Sequence, residues 1–283
     1  MKRNQAERAR EFFALHRGPK ILVLPNAWDV ASARIFEDAG FPAIGTSSAG
    51  VAFSLGYPDG QKIPREEMLG VVRRIAEAVE VPITADVEAG FGSTPKEVAD
   101  TAREVIAAGA VGMNLEDGVE GKPDLLADVN RQKEIIRAVL EVGQAAGIRF
   151  VLNARTDIFL YGIGPAETRL ARTIERLNAY HAAGAPSLFA PGVKDKETIA
   201  QLARGVEGPL NILATIGTPP VAELQQLGVA RVSVGSGPMR ATLGFLGSMA
   251  RQLRDEGVFS MMMDGALPYA DANRLVQPRR GRS

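Results

Sequence analysis

The sequence predicts an α/β fold, namely a (β/α)8 barrel of the TIM type followed by a C-terminal helical extension. The chain has 283 residues, a length that suits one large barrel or roughly two ordinary domains. Eight short apolar runs recur along it, and the segments between them are long enough for the helices that connect parallel strands. The runs are continuous rather than alternating, which is typical of strands that are covered on both faces.

The eight predicted strands are short and rich in aliphatic and β-branched residues. They cover residues 20–25, 42–47, 81–87, 110–116, 148–155, 185–190, 210–215 and 230–235. An open, doubly wound sheet is the alternative, but such a sheet normally carries a glycine-rich phosphate-binding turn after its first strand. The corresponding turn here reads PNAWDVASA and lacks the GxGxxG pattern, so the barrel is favoured.

The helices between these strands carry their own start and stop signals. Thr94 and Glu97 form a capping box with Pro95 at the first helical position, and Asp128 is a predicted N-cap for residues 129–145. Thr218-Pro219 repeats the pattern of a cap followed by proline. Glycine precedes the next strand five times, where it can adopt the left-handed conformation that ends a helix. These glycines are Gly40, Gly109, Gly147, Gly184 and Gly228.

Residues after the eighth strand read as one helix and then shorter helical pieces, which is more than a single barrel needs. We therefore predict a barrel over residues 1–245 and a C-terminal helical segment with a tail over 246–283. The methionine-rich stretch at 259–263 is predicted to pack against the barrel or a neighbouring subunit.

Composition excludes several classes of function. Lys plus Arg and Asp plus Glu both number 33, and a net charge of zero argues against a general nucleic-acid binder. The chain has no cysteine, so disulfides, thiolate zinc sites and cysteine nucleophiles are excluded. Only His16 and His181 are present, which leaves little room for histidine-based catalysis. Without an apolar run of signal-peptide or membrane-span length, we expect a cytoplasmic protein with no membrane partner.

Polar residues end three consecutive predicted strands, and a period of two places them on one face of each strand. They are Thr84, Asp86 and Glu88, then Asn114 and Glu116, then Asn153 and Arg155. Because the carboxyl ends of barrel strands meet at one mouth, these side chains should converge there. Carboxylates without histidine or cysteine indicate a hard cation, Mg²⁺ or Mn²⁺, with one or two direct ligands. A buried ion-pair network centred on Arg155 is an equally open reading.

The order of several motifs resembles the isocitrate lyase/phosphoenolpyruvate mutase superfamily. These motifs are LPNAWDVASARIFEDAGFPAIGTSSAGVA, PITADVEAGFG, NLEDG and NART, and the resemblance extends from about Pro25 to about Arg240. It implies a (β/α)8 barrel whose last helix is exchanged with a neighbouring subunit, within a dimer of dimers. It also implies action on 2-oxo acids, or on compounds that cleave to them, with Mg²⁺ as cofactor.

The resemblance also implies roles for individual residues. Asp86 matches the aspartate that coordinates the metal, Glu88 stands where many members have a second aspartate, and Glu116 matches the acid that holds metal-bound water. Arg155 matches an arginine that contacts the oxygens of the substrate, and Asp59 matches an aspartate near the reacting carbon. We therefore predict metal-site roles for Asp86, Glu88 and Glu116, and catalytic roles for Arg155, Asp59 and Glu116.

Substrate binding is predicted for a second set of residues. Ser47, Ser48 and Ala49 stand where members of the superfamily bind the 2-oxo acid carboxylate through a hydroxyl and backbone amides. Asn153 shares a strand face with Arg155 and is predicted to lie at the substrate with it. The expected partner is a small carboxylate molecule.

One loop departs from the best-known members of the superfamily. Isocitrate and methylisocitrate lyases carry a proton-donating cysteine after the fourth strand, but this loop reads GVEGKPD and contains neither cysteine nor histidine. Ordinary isocitrate lyase chemistry would need Glu120, Lys122 or a water molecule to replace the thiol. The mutases have a histidine after the sixth strand, and this chain has Phe189-Ala190-Pro191 there.

The sequence therefore predicts a Mg²⁺-dependent lyase that cleaves or decarboxylates a small 2-oxo or 2-hydroxy di- or tricarboxylic acid. The common intermediate would be an enolate stabilised by the metal and by Arg155. Two alternatives stay open, a phosphonopyruvate hydrolase or phosphoenolpyruvate mutase and a non-catalytic binder of 2-oxo acids.

Overall fold

A computed structural model describes residues 4–119 and 121–277 of the chain. Glu120 and the C-terminal tail from residue 278 lie outside the described residues. The strands are β1 (Leu22–Leu24), β2 (Asn26–Ala27), β3 (Ile44–Thr46), β4 (Ile83–Asp86), β5 (Gly112–Glu116), β6 (Gly118–Val119), β7 (Lys122–Leu126), β8 (Val151–Arg155), β9 (Ser187–Ala190), β10 (Leu210–Leu213) and β11 (Arg231–Ser233).

The main sheet is a closed parallel barrel. Within the described residues it contains nine strand segments in the order β1-β11-β10-β9-β8-β5-β4-β3-β2. Segments β1 and β2 stand at opposite ends of this order but are separated in the chain by Pro25 alone. Proline has no backbone N–H to pair, so it divides one strand into two parts, each paired with a different neighbour. The eight-stranded barrel predicted from the sequence is therefore confirmed.

Helices precede, alternate with and follow the strands of the barrel. They are α1 (Gln5–Leu15), α2 (Val30–Asp38), α3 (Ser48–Ser54), α4 (Arg65–Ala78), α5 (Pro95–Ala107), α6 (Val129–Ala145), α7 (Ala166–Ala182), α8 (Lys196–Gly205), α9 (Val221–Gln226), α10 (Gly237–Glu256), α11 (Ser260–Asp264) and α12 (Tyr269–Val276). Within residues 4–119 and 121–277, no helix combines the length and the apolar composition that crossing a membrane requires.

Most of the predicted helix boundaries are confirmed. Thr94 caps α5 with the reciprocal bond from Glu97, and Asp128 accepts two N–H groups at the start of α6. The five predicted C-terminal glycines all have φ between 69° and 107°. The predicted helix start at Thr218-Pro219 is wrong, because α9 begins at Val221 after a second proline. A residue that precedes proline avoids the helical conformation, which delays the start.

One end of the barrel is closed by α1, so the carboxyl ends of the strands form the open end. Phe12 packs among residues at the amino-terminal ends of the strands, including Leu22, Val111 and Val151. His16, at the end of α1, is buried with Nε2 3.5 Å from a guanidinium nitrogen of Arg231. Burial together with the charge of Arg231 lowers the pKa of His16 to about 3, so this histidine is neutral and structural.

The C-terminal helices leave a large apolar surface uncovered. The predicted division after residue 245 falls inside α10, which continues unbroken to Glu256. Within α10, all of which the structure describes, Met239 alone is buried. Large apolar side chains along this segment are at least 37% exposed. They are Leu243, Phe245, Leu246, Leu253, Val258, Phe259, Met262, Met263, Leu267, Tyr269 and Val276.

Candidate active site

Asp86 ends β4 at the open end of the barrel, and its carboxylate is held by neutral donors. Its Oδ2 accepts hydrogen bonds from the backbone N–H of Ser48 (3.0 Å) and from the Ser48 hydroxyl (2.9 Å). Its Oδ1 accepts from Nδ2 of Asn114 (3.0 Å), and its own N–H donates to the hydroxyl of Thr46 (2.9 Å). The carboxylate is therefore firmly oriented, while no cation among the described residues forms an ion pair with it.

A ladder of side-chain amides supports Asp86 from the neighbouring strands. The register places Asp86, Asn114 and Asn153 side by side on β4, β5 and β8. Nδ2 of Asn153 donates to Oδ1 of Asn114 (2.8 Å), and the Ser187 hydroxyl donates to Oδ1 of Asn153 (2.7 Å). Asn153 is fully buried and uses both amide atoms in this ladder, so the geometry gives it a supporting position beneath the open end.

Glu88 follows β4 and places a second carboxylate beside Asp86. Its side chain is buried, with Oε2 accepting the backbone N–H of Gln61 (2.7 Å) and Oε1 lacking any hydrogen-bond partner. Burial, followed by the charges of Asp86 and Asp59, raises the pKa of Glu88 to about 8. An unpartnered carboxylate oxygen beside two further acids is a costly arrangement unless a cation compensates it.

Arg155 ends β8 and is held between two carboxylates. Its Nη1 lies 2.7 Å from Oε2 of Glu116, and its Nε lies 2.6 Å from Oδ1 of Asp157. Burial alone would lower the pKa of Arg155, but the charges of Glu116 and Asp157 raise it above the ordinary value. Burial raises the pKa of Glu116, and Arg155 opposes that shift. The guanidinium is therefore a fixed positive charge at the open end.

A second layer of contacts holds Asp157 in place. Its backbone N–H donates to Oδ1 of Asp117 (3.0 Å), and Asp117 is fully buried. Oδ2 of Asp117 accepts from Nε of Arg176 (2.8 Å) and from the hydroxyl of Tyr180 (2.6 Å). Arg155 is thus oriented by a network that reaches α7, and its position depends on side chains far from the open end.

These contacts divide the acidic residues between the two readings that the sequence left open. Glu116 and Asp157 belong to the predicted ion-pair network around Arg155. Asp86 and Glu88 have no ion pair among the described residues, and their carboxylate oxygens are the ligand type that Mg²⁺ and Mn²⁺ prefer. Within residues 4–119 and 121–277, no three acidic or histidine side chains form a compact ligand cluster. Mg²⁺ commonly takes one or two carboxylates and keeps water ligands, so the pair fits such an ion.

The predicted substrate-binding residues lie at the start of α3, next to Asp86. Ser47 caps this helix, with its hydroxyl accepting the N–H of Gly50 (3.1 Å), so that oxygen already has a structural partner. Ser48 donates both its N–H and its hydroxyl to Asp86, and Ala49 is buried. Residues 47–49 therefore lie at the site, and both of their serine hydroxyls are already hydrogen-bonded within the protein.

A cavity of about 260 Å³ opens beside Glu88 and Glu116. Its polar lining includes Asp59, Gln61, Glu88, Glu116, Lys122 and Tyr161. One wall is the antiparallel hairpin of β6 and β7, formed by the loop that lacks the family cysteine. A larger surface groove of about 670 Å³ between α5 and α6 contains none of these residues. The smaller cavity is therefore the candidate active site.

Sequence reasoning did not identify Tyr161, Gln61 or Asp157 as parts of this site. Partial burial, with the charges of Asp157 and Glu116, raises the pKa of Tyr161, so its phenol stays protonated near neutral pH. Asp157 could have been found, because it follows Arg155 by two residues and therefore faces the same way if the strand continues. Tyr161 and Gln61 lie in irregular segments, where no period in the sequence indicates direction.

Comparisons of sequence relate the chain to enzymes of known activity. A family model described as phosphoenolpyruvate phosphomutase matches residues 12–254. The 2-methylisocitrate lyase of Escherichia coli (strain K12) is 34% identical over 218 residues, which cover 74% of this chain and 71% of the lyase. An oxaloacetate decarboxylase of Rhodopseudomonas palustris (strain ATCC BAA-98 / CGA009) is 32% identical over 265 residues, covering 87% of this chain and 81% of the decarboxylase.

Solved structures of two similar proteins share the fold of this chain. A protein of Burkholderia cenocepacia J2315, provisionally described as a lyase/mutase, is 40% identical with a TM-score of 0.89, and 95% of each chain is covered. A phosphonopyruvate hydrolase crystallised with oxalate and Mg²⁺ is 25% identical with a TM-score of 0.82, covering 95% of this chain and 94% of the hydrolase.

Proposed function

The chain belongs to the isocitrate lyase/phosphoenolpyruvate mutase superfamily, as its motifs predicted, and from this we propose that it is a Mg²⁺-dependent carbon–carbon lyase. Its substrate would be a small 2-oxo or 2-hydroxy di- or tricarboxylic acid. The observation that carries the proposal is the proximity of the fixed guanidinium of Arg155 to two carboxylates, Asp86 and Glu88, that form no ion pair within the described residues. The cysteine-free loop and the extended similarity to an oxaloacetate decarboxylase favour decarboxylation of a 2-oxo dicarboxylate.

Asp86 and Glu88 are the residues that would hold the cation, Asp86 through its oriented carboxylate and Glu88 through Oε1. A divalent cation at this point supplies Lewis-acid stabilisation of negative charge on the oxygens of a 2-oxo acid. Glu116 would act on the substrate indirectly, because it orients Arg155 through an ion pair of 2.7 Å between its Oε2 and Nη1 of Arg155.

Arg155 would bind the oxygens of the substrate and stabilise the charge that develops on them. In decarboxylation of a 2-oxo dicarboxylate, the electrons of the bond between C3 and the departing carboxylate move to the oxo oxygen, and CO2 leaves. The product is an enolate, whose charge a preorganised guanidinium stabilises without reorganisation. Since Glu116 and Asp157 hold two of its nitrogens, this side chain is already in position before the substrate binds.

The enolate must then receive a proton at C3, and two groups at the cavity could supply it. Tyr161 is protonated near neutral pH. It lines the cavity, and Lys122 on β7 lines it too. Lys122 is one of the groups expected from the sequence to replace the family cysteine. Glu120, a further expected candidate, lies outside the described residues. Asp59 lines the same cavity as Glu88 and would lie near the reacting carbon, which is the role predicted for it.

A substrate panel with Mg²⁺ tests the proposal. We expect oxaloacetate to yield pyruvate and CO2, and we expect EDTA to abolish turnover until Mg²⁺ is added back. Isocitrate, methylisocitrate and phosphonopyruvate complete the panel, with detection of glyoxylate, pyruvate and phosphate. Phosphate or phosphoenolpyruvate from phosphonopyruvate would instead establish phosphorus–carbon chemistry. Tight binding of a 2-oxo acid in calorimetry, without any product, would identify a non-catalytic binder.

We also propose that the apolar surface of α10 to α12 is covered by a second copy of this chain, in a dimer or a dimer of dimers. The family motifs imply that the last helix is exchanged between subunits. Such an exchange would cover α10, in which Met239 alone is buried within one chain. Light scattering should give a mass of two or four times 30.1 kDa.

Phe245→Asp combined with Leu246→Asp should reduce that mass, because the charges would have to be buried. Ile216→Asp, at a position that is 97% exposed on the barrel, is the control and should leave it unchanged. A monomeric wild-type protein would exclude this assembly.

A further inference from the structure

Three residues beside the candidate site adopt a backbone conformation that side chains normally avoid. In the part of the chain that the structure describes, Gln61, Glu88 and Phe91 are the non-glycine residues with positive φ, at 56°, 53° and 53°. Each such residue is strained relative to the right-handed conformation, because its Cβ approaches the backbone carbonyl oxygen. Strained residues persist where surrounding contacts enforce them, and their occurrence together indicates a constrained arrangement with a function.

The three strained residues are joined directly by hydrogen bonds. The backbone N–H of Gln61 donates to Oε2 of Glu88 (2.7 Å), and the backbone N–H of Phe91 donates to Oε1 of Gln61 (2.7 Å). Gln61 therefore connects the loop that carries Asp59 to the loop that follows β4. The backbone of Glu88 is held from the other side, since its carbonyl accepts the N–H of Glu116 (3.1 Å).

These bonds leave Glu88 with one oxygen to offer. Oε2 is occupied by the N–H of Gln61, whereas Oε1 is buried and has no partner. Glutamate has one more rotatable bond than aspartate, so an untethered carboxylate here would populate several orientations at an entropic cost on binding. A glycine at position 61 would adopt this φ without strain, but it would offer no acceptor to Phe91.

We infer that Gln61 is a positioning residue. Its side-chain oxygen anchors it to the N–H of Phe91, and its backbone N–H, held in place in this way, presents a single oxygen of Glu88 to the cation site and thereby sets the affinity of the site for a divalent cation. The inference rests on the proposed function, because it assumes that Asp86 and Glu88 bind the cation. Oε1 of Glu88 would face the cation, while the bond from Gln61 to Oε2 prevents the carboxylate from rotating so that both oxygens face it. Contacts that orient a metal ligand commonly change metal affinity by about 10- to 100-fold when removed.

Binding of Mn²⁺ to the full-length protein, measured by calorimetry without substrate, tests this role. Gln61→Met keeps the size of the side chain and the backbone N–H that donates to Glu88, but it removes the acceptor that anchors Gln61 to Phe91. The N–H would then no longer be held against Oε2 of Glu88, and we expect Mn²⁺ binding to weaken about tenfold. Gln61→Gly also lacks the acceptor but relieves the strained backbone. Relief of the strain offsets the lost hydrogen bond to Phe91, so we expect it to unfold at about the wild-type temperature in EDTA and still to bind Mn²⁺ about tenfold more weakly. If Gln61 had a purely structural role, the unfolding temperature and the affinity for Mn²⁺ would fall together.

Gln61→Glu provides the conservative variant, because its carboxylate can still accept the N–H of Phe91. We expect it to bind Mn²⁺ at least as tightly as wild type. Mn²⁺ affinities of Gln61→Gly and Gln61→Met within twofold of wild type would overturn the inference while leaving the proposed metal dependence intact. Failure of the wild-type protein itself to bind Mn²⁺ would overturn both.

Discussion

Arg155→Lys is expected to lower kcat for the accepted substrate by about 10²- to 10³-fold, the usual loss when a preorganised donor to a developing oxyanion is removed. Lysine keeps the positive charge but cannot reproduce the guanidinium geometry that binds Glu116 and Asp157 on different nitrogens. Its ammonium would move toward one of these carboxylates and leave the other unpaired. Steady-state kinetics on the substrate identified in the panel measures the effect.

Arg155→Met extends the same experiment to stability. Removal of the charge leaves Glu116 and Asp157 without their shared cation, and breaking a buried ion pair in this way costs about 3–5 kcal/mol. We expect a correspondingly lower free energy of unfolding in urea. Arg103→Lys, at a surface ion pair on α5, is the matched control and should change neither quantity. A kcat for Arg155→Lys within tenfold of wild type would remove Arg155 from the chemistry.

Glu88→Gln is expected to stabilise the cation-free protein and to abolish its response to a divalent cation. The amide can still accept the N–H of Gln61, but it removes a buried negative charge that lies beside Asp86 and Asp59. At pH 8 in EDTA the free energy of unfolding should rise by roughly 1–4 kcal/mol, since each unit of pKa shift corresponds to about 1.4 kcal/mol. Mn²⁺ should raise the unfolding temperature of wild type and leave that of the variant unchanged.

The pH dependence of this gain has a definite sign. The pKa of Glu88 is raised from 4.5 to about 8 in the folded protein, so the folded state retains a proton that the unfolded state has released between these values. The contribution of Glu88 to stability therefore decreases as the pH rises through this window, and the advantage of the variant increases. Glu141→Gln, on the exposed surface of α6, is the control. If Glu88→Gln were less stable than wild type at pH 8 in EDTA, the negative charge of Glu88 could not be destabilising the folded protein.

Local patterns in the sequence were enough for the barrel and for the direction of its polar residues. Capping at Thr94 and Asp128 depends on contacts within one helical turn, and both caps are observed. The period of two along each strand placed Asp86 and Glu116 at the open end with Arg155, because alternation and parallel pairing are regular. The double proline at 219–220 shows the limit, since the second proline moved the start of α9 beyond the predicted cap.

The sequence by itself determined the fold, the superfamily and the end of the barrel at which the charged groups meet. Only the tertiary structure decided that Arg155 pairs with Glu116 and Asp157, and that Gln61 holds one oxygen of Glu88. It also decided that Asp86 and Glu88 form no ion pair with any residue that the structure describes. The physical reason is that strand alternation and helix capping are set by neighbours in the chain. Ion pairing and tethering instead depend on distances of a few ångström between side chains from different strands and loops, which the order of residues does not contain.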